Sequence, residues 1–310
     1  MLAAGAVALA LLGTACGERK EPVGRTVPGA YPLTVQAADE HPVTIRKQPR
    51  SVLPVSATAA SILDALGLRG LVPGADPDGT EPLKARRVTA IAKTPVDLVL
   101  GSQLNDANAL QAATADAKET VVVVADSSVV DLEHSILQVG LALGVPVRAR
   151  ALVARIDAQL AAVKKKLAGQ PAVPYFLDKG FYIPLADDTF GGELLRLAGG
   201  KNIAAGAEPI PYRIKYLLRD DPAVYLATEA SGTTLETLRK TPRVKRLTAV
   251  REGRFALLDE ALLQPTAAVG DQVEQLYELL HGAPEAPTEA PAEAPATTTE
   301  PAVAATETTG

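Results

Sequence analysis

Short apolar runs alternate along this chain with longer stretches in which apolar residues return every three or four positions, the pattern of strands followed by helices. Ser51-Val52-Leu53-Pro54-Val55 reads as a short strand, after which Ser56-Ala57-Thr58 caps a helix through Leu66 that Gly67 ends. Leu71-Val72 is expected to open the next strand. Asp97-Leu98-Val99-Leu100-Gly101 and Thr120 to Val124 predict two more, with a helix near Ala107 to Ala115 between them. Val129, Leu132, Ile136, Val139 and Leu143 then mark one face of a helix.

The segment Arg148 to Ala168 stands out. Leu152, Ile156, Leu160, Val163 and Leu167 recur at helical spacing with no Pro or Gly inside, and a helix of that length is about 32 Å long. A second strand and helix alternation follows it. Its strands are Pro174 to Leu177, Ala223 to Ala227 and Phe255 to Leu258; its helices cover Gly192 to Ala198, the region of Leu235, and a last stretch up to His281. The expected fold is therefore α/β: two lobes with central, largely parallel sheets flanked by helices, joined by one long interlobe helix. A cleft between two lobes joined in this way is a natural small-molecule site.

The two ends change the picture. Leu2 to Leu12 has the length of a signal-peptide apolar core and is too short for a membrane span. Gly13-Thr14-Ala15-Cys16-Gly17 follows and resembles a bacterial lipobox, which implies lipidation of Cys16, the single cysteine. Gly13 stands where that pattern has an aliphatic residue, and the leader lacks positive charges, so an upstream start is expected. The expected organisation is 1–16 lipoprotein signal peptide, 17–30 tether, 31–147 N-terminal lobe, 148–169 interlobe helix, 170–282 C-terminal lobe and 283–310 a disordered tail. The tail carries five Glu and no Lys or Arg, which accounts for the whole formal net charge of −5. The remaining body is balanced overall, without the net basic charge that nucleic-acid binding favours. Aromatic residues make up 4% of the chain and Trp is absent, so flat ligands find few stacking platforms.

Several stretches resemble, in order, the helix-linked (type III) substrate-binding proteins of ABC importers, the periplasmic binding proteins for vitamin B12, ferric siderophores and haem. They are Thr44 to Pro54, Pro95-Val96-Asp97-Leu98-Val99-Leu100, Ile136 to Gly144, Glu193 to Asn202, Asp221-Pro222-Ala223-Val224, and Arg251-Glu252-Gly253-Arg254-Phe255. The resemblance implies an extracytoplasmic, membrane-anchored, monomeric and non-enzymatic protein, without a cofactor, whose partners are a small-molecule ligand of the siderophore, cobalamin or haem class and an ABC permease. In that family each lobe presents a surface Glu that docks on permease arginines; here Thr89 and Lys215 occupy those positions, with Glu81, Glu208 and Asp220 nearby. That departure leaves open a second reading, a lipid-anchored binding or sensor module uncoupled from a permease.

The resemblance places the ligand against loops that follow the strands. Those loops give Ser56, Asp76, Asp78, Ser102, Gln103, Asp126 and Ser127 in the first lobe. In the second lobe they give Phe181, Tyr182, Thr189, Tyr212, Arg213, Thr228, Glu229 and Gln264. Ordinary loop chemistry competes at each position: Ser56 is also a helix cap, and Asp76-Pro77-Asp78-Gly79 is also a turn. Phe181, Tyr182, Tyr212 and Arg213 combine aromatic surface with a cation suited to a carboxylate or phosphate. His41, His134 and His281 are dispersed and no metal site is expected. No nucleophile elbow, triad or Gly-rich phosphate loop argues for catalysis.

Overall fold

A computed structural model describes residues 30–38, 42–103, 110, 120–208 and 210–282. Two strands, β1 (Leu33–Gln36) and β2 (Pro42–Ile45), pair as an antiparallel hairpin. The hairpin is tied to the first lobe by the Tyr31 hydroxyl, which donates to Ala142 O at 2.8 Å, and by Ala38 N, which donates to Val123 O at 2.8 Å.

The first lobe centres on a parallel sheet in the order β3 (Val52–Pro54), β4 (Leu98–Ser102), β5 (Thr120–Val124). The second lobe has a four-stranded parallel sheet in the order β7 (Gly200–Asn202), β6 (Val173–Asp178), β8 (Val224–Thr228), β9 (Phe255–Leu258). Successive strand residues point to opposite faces, and the apolar sets sort accordingly. Leu98, Leu100, Val122, Tyr175, Leu177, Val224 and Leu226 face one continuous core shared by both lobes. Leu53, Val99 and Val121 face a separate outer cluster of the first lobe, and Phe176, Tyr225 and Ala227 an outer cluster of the second. Both faces being covered explains why these strands read as unbroken apolar runs.

Helices α1 (Ala57–Ala65) and α2 (Val129–Ala142) flank the first sheet. The Ser56 and Ser128 side chains cap them by accepting from Ala59 N and Asp131 N, each at 3.1 Å. The long helix α3 runs Pro146–Lys166, two residues earlier at each end than the expected Arg148 to Ala168. Pro146 sits in its first turn, where a missing N–H costs nothing, and Lys164, Lys165 and Lys166 oppose the negative end of its dipole. In the second lobe α4 (Phe190–Leu197), α5 (Ile214–Asp220), α6 (Leu235–Lys240), α7 (Thr248–Arg251) and α8 (Val269–His281) surround the sheet.

The interlobe helix is clamped from both sides by glycines. A Cβ added at Gly140 on α2 would lie 2.2 Å from Ala149 Cβ, and one at Gly270 on α8 would lie 2.3 Å from Gln159 Oε1. Backbone therefore meets α3 directly in each lobe. Lys166 Nζ adds an ion pair to Glu274 Oε1 at 2.7 Å, and Gln159 bonds Asp271.

Two expectations differ from the structure. Leu71-Val72 opens no strand: Leu71 ends a 3-10 turn, Arg69–Leu71, and Pro73-Gly74 follows at once. Arg69 bridges back to Asp64, with Nη2 to Oδ2 at 2.9 Å, which fixes this short connection as a turn. The short strand β7 and helix α5 carry no clear periodicity and were not anticipated. The helix expected near Ala107 to Ala115 lies outside the described residues, apart from Leu110, as do Cys16, His41, the tether and the tail.

Candidate ligand-binding cleft

All strands within each lobe's sheet run the same way, so their carboxyl ends collect at one edge, and the loops leaving that edge build the site. In the first lobe the ends of β3, β4 and β5 bring together Ser56, Ser102 and Asp126, which are 8%, 2% and 2% exposed. Asp126 Oδ2 accepts from Thr58 Oγ1 at 2.8 Å, and the Ser102 hydroxyl also bonds this carboxylate. Its other oxygen, Oδ1, is buried without a partner. Burial pushes the Asp126 carboxyl above the usual carboxylate range, although the Thr58 and Ser102 hydroxyls oppose the shift.

A pocket of about 250 Å³ opens beside this cluster. Ser56, Thr58 and Ser102 form its wall in the first lobe, and Gln264 and Pro265 close it from the second. Across Gln264-Pro265 lies a second pocket of about 210 Å³, lined among others by Lys179, Thr189, Thr228 and Glu260. The Thr228 hydroxyl, at the end of β8, is completely buried and unpartnered. A buried hydroxyl without a partner is costly, so its presence on a pocket wall points to a ligand group. Gln272 holds the shared wall: its Nε2 donates to Ala261 O at 3.0 Å and Gln264 O at 2.9 Å. The lobes also touch directly, Ala267 N donating to Ser61 Oγ at 3.1 Å and Val129 N to Glu193 Oε2 at 3.0 Å.

Phe181, Tyr182 and Tyr212 form a second group, with Arg213 beside them. Gly180 to Ile183 is a tight turn closed by Ile183 N to Gly180 O at 2.9 Å, with Phe181 and Tyr182 at φ of 53° and 63°. Two consecutive non-glycine residues in the left-handed region are strained. Asp178 imposes the shape: its Oδ1 accepts from Gly180 N at 2.8 Å and Tyr182 N at 2.9 Å. The Phe181 ring is 85% exposed, whereas Tyr182 is partly buried, which raises its hydroxyl pKa. Tyr212 N donates to Tyr182 O at 2.8 Å and joins the two loops. The Tyr212 hydroxyl is already committed to Asp220 Oδ2 at 3.0 Å, and its ring packs 5.7 Å from Phe176.

The candidates thus divide. Ser56, Ser102, Thr228, Gln264 and Thr189 line the adjoining pockets, while Phe181, Tyr182, Tyr212 and Arg213 do not. Asp76 is an exposed turn residue accepting from Asp78 N at 3.1 Å, and Gln103 is exposed and accepts from Ser127 Oγ at 2.9 Å. Thr58, Lys179, Glu260 and Gln272 were not singled out beforehand. Thr58 looked like helix-cap chemistry, and Gln272 sits inside an ordinary amphipathic helix; only their partners reveal them. Thr89 lies in a 3-10 turn, and Lys215 is exposed on α5. Of the nearby acids, Asp220 is engaged by Arg219.

The described residues contain no group of three His, Cys, Asp or Glu placed to hold a metal ion. The family model described as "Periplasmic binding protein" matches residues 88–262. An uncharacterized ABC transporter substrate-binding lipoprotein of Bacillus subtilis, YvrC, is 23% identical over 300 residues, covering 88% of this chain and 94% of that protein. Among solved structures, the periplasmic heme-binding protein RhuT of Roseiflexus superposes with a TM-score of 0.62 at 20% identity, covering 74% of this chain and 99% of the other. The vitamin B12 binding protein BtuF of Vibrio cholerae gives 0.58 at 19% identity, covering 75% and 96%.

Proposed function

Since the chain belongs to the periplasmic binding protein family, whose members are non-enzymatic transport components, we propose that it is an extracytoplasmic lipoprotein that captures an iron-siderophore, cobalamin or related ligand for an ABC importer. The observation that carries this reading is the pocket between the lobes, walled by Ser56, Thr58 and Ser102 on one side and Gln264 and Pro265 on the other, with a second-lobe pocket adjoining it across Gln264-Pro265. Ser102, Thr228 and Gln264 are the direct contacts in this reading, with Ser56 at the rim. The exposed Phe181 and the Tyr182, Tyr212 and Arg213 edge serve a ligand that projects beyond the pockets.

Lipidation of Cys16 holds the protein at the membrane. The reading is supported by the likeness to YvrC, a substrate-binding lipoprotein, and to RhuT and BtuF, which bind heme and vitamin B12. Lys215, where a docking carboxylate is expected, favours one rival, a binding or sensor module without a permease. Permease and ATPase genes adjoining this one would count against that rival.

The test is a thermal-shift screen with cobalamin, haem and several ferric siderophores. A concentration-dependent rise in Tm with one of them is expected, and no shift with any would remove this ligand class. In parallel, Cys16→Ser should move the protein from the membrane fraction to the soluble fraction, and retention on the membrane would refute the anchor.

A further inference from the structure

Four hydrogen-bond donors without a protein partner belong to residues that line the second-lobe pocket of about 210 Å³. The Thr228 hydroxyl, at the end of β8, is completely buried and bonds nothing. Lys179 directly follows β6; its side chain is exposed and makes no ion pair among the described residues. The other two are backbone amides at the start of α4.

A helix leaves its first four N–H groups without partners of its own. In α4 these belong to Phe190, Gly191, Gly192 and Glu193. Thr189 satisfies two of them: its Oγ1 accepts from Gly192 N at 3.1 Å, and its backbone O from Glu193 N at 3.0 Å. Phe190 N and Gly191 N find no partner among the described residues, and both residues line the pocket. Gly191 brings the helix end close against the pocket wall, since a Cβ there would lie 2.9 Å from Leu263 Cβ. It also adds no side chain of its own to cover its amide.

Donors call for an acceptor, and the charges make that acceptor an anion. The positive end of the α4 dipole and the Lys179 ammonium both favour negative charge. The neighbouring acids leave that role open. Asp187 accepts from Asn202 Nδ2 at 2.7 Å, and neither it nor Asp188 lines the pocket. Glu260, in the 3-10 turn Glu260–Leu263, is the one acid on the lining; it is exposed and not paired with Lys179. A single ammonium beside two amides and a hydroxyl matches one carboxylate. The volume lies below the about 300–1,000 Å³ that encloses a whole ligand, so an arm of the solute enters here rather than its body.

We propose that this pocket seats a carboxylate arm of the captured solute, held by Thr228, Lys179 and the amides of Phe190 and Gly191. The body of the solute then lies across Gln264-Pro265, toward the pocket walled by the first lobe. The inference rests on ligand capture in this cleft and narrows the solute to one bearing a free carboxylate. Haem and carboxylate-type siderophores meet that condition, whereas cobalamin and purely catecholate siderophores do not.

The test uses acetate as the carboxylate and acetamide as its neutral analogue of the same shape. Each is titrated into the full chain at constant ionic strength while the backbone amides are followed by NMR. Saturable shifts of the Phe190 and Gly191 amides with acetate, and none with acetamide, are expected. Thr228→Val should weaken acetate binding about tenfold and Lys179→Gln about threefold, while Glu260→Gln should tighten it, all without loss of Tm. Equal shifts with acetamide, or no saturation with acetate, would overturn the proposal. So would tighter binding of inorganic phosphate than of acetate, which would reassign the pocket to a phosphate group. A solute from the thermal-shift screen that lacks a carboxylate, and binds Lys179→Gln as well as it binds the parent, would overturn it too. If no screened solute raises Tm but acetate still saturates these amides, the ligand class falls and the carboxylate seat stands.

Discussion

The Tyr225 hydroxyl donates to Asp178 Oδ2 at 2.8 Å inside the second lobe, both residues being at most 1% exposed. Thr233 Oγ1 gives the same oxygen a second donor at 3.2 Å, while the other oxygen holds the Gly180 and Tyr182 amides. One carboxylate thus joins the end of β6, the core of the sheet and the strained turn that displays Phe181. Burial and the Asp178 charge both push the Tyr225 hydroxyl pKa upward, so it remains a donor.

Asp178→Asn should destabilise the protein by about 2–4 kcal/mol. Four donors converge on this side chain, and an amide offers one acceptor oxygen while its NH2 faces two of the donors. Urea unfolding measures the loss. A variant as stable as the parent would mean that the turn is not held by this carboxylate.

Thr228→Val should leave the unliganded protein as stable as the parent or about 1 kcal/mol more stable, because it deletes a buried hydroxyl that has no partner. Affinity for the ligand that raises Tm should fall about tenfold, the worth of one hydrogen bond. Titration calorimetry separates the two effects; undiminished affinity would remove Thr228 from the site.

Asp126 makes stability depend on pH in an unusual direction for a carboxylate. Its folded pKa is raised by burial, so the folded state holds the proton more tightly than the unfolded chain does. The contribution is complete below the ordinary Asp range and is lost as pH rises through the raised value. Asp126→Asn removes that titration. The stability of the variant relative to the parent should therefore be greater at pH 7 than at pH 4, as followed by urea unfolding across that range. A constant difference would show that Asp126 titrates normally.

Gly140→Ala should cost about 1–3 kcal/mol, because its new methyl would meet Ala149 Cβ at 2.2 Å and force α2 away from α3. Gly70→Ala is the control, since nothing lies within 4 Å of a Cβ there. Equal Tm values for the two variants would contradict the close contact between α2 and α3.

Much of the fold was legible because parallel strands buried on both faces read as apolar runs and α3 as an uninterrupted helical stripe. Thr120–Val124 and Phe255–Leu258 are strands as expected, and α3 is displaced by two residues at each end, beginning at Pro146. Gly200–Asn202 escaped notice because a three-residue edge strand has no pattern to recognise; its place comes from pairing with β6 beside the Tyr175 ring.

The site divided along the same line. The sequence by itself determined where the strands end, because each strand is bounded by its own turn chemistry, and the family resemblance pointed to the loops beyond them, so Ser56, Ser102, Thr228 and Gln264 could be named. Only the tertiary structure decided that Ser56, Ser102 and Gln264 line a pocket between the lobes and Thr228 the second-lobe pocket adjoining it, while Tyr212 spends its hydroxyl on Asp220. Partners such as Asp126 with Thr58, or Gln272 with Gln264, lie 68 and 8 positions apart. No local rule links residues at such separations; packing of the sheets and helices brings them together.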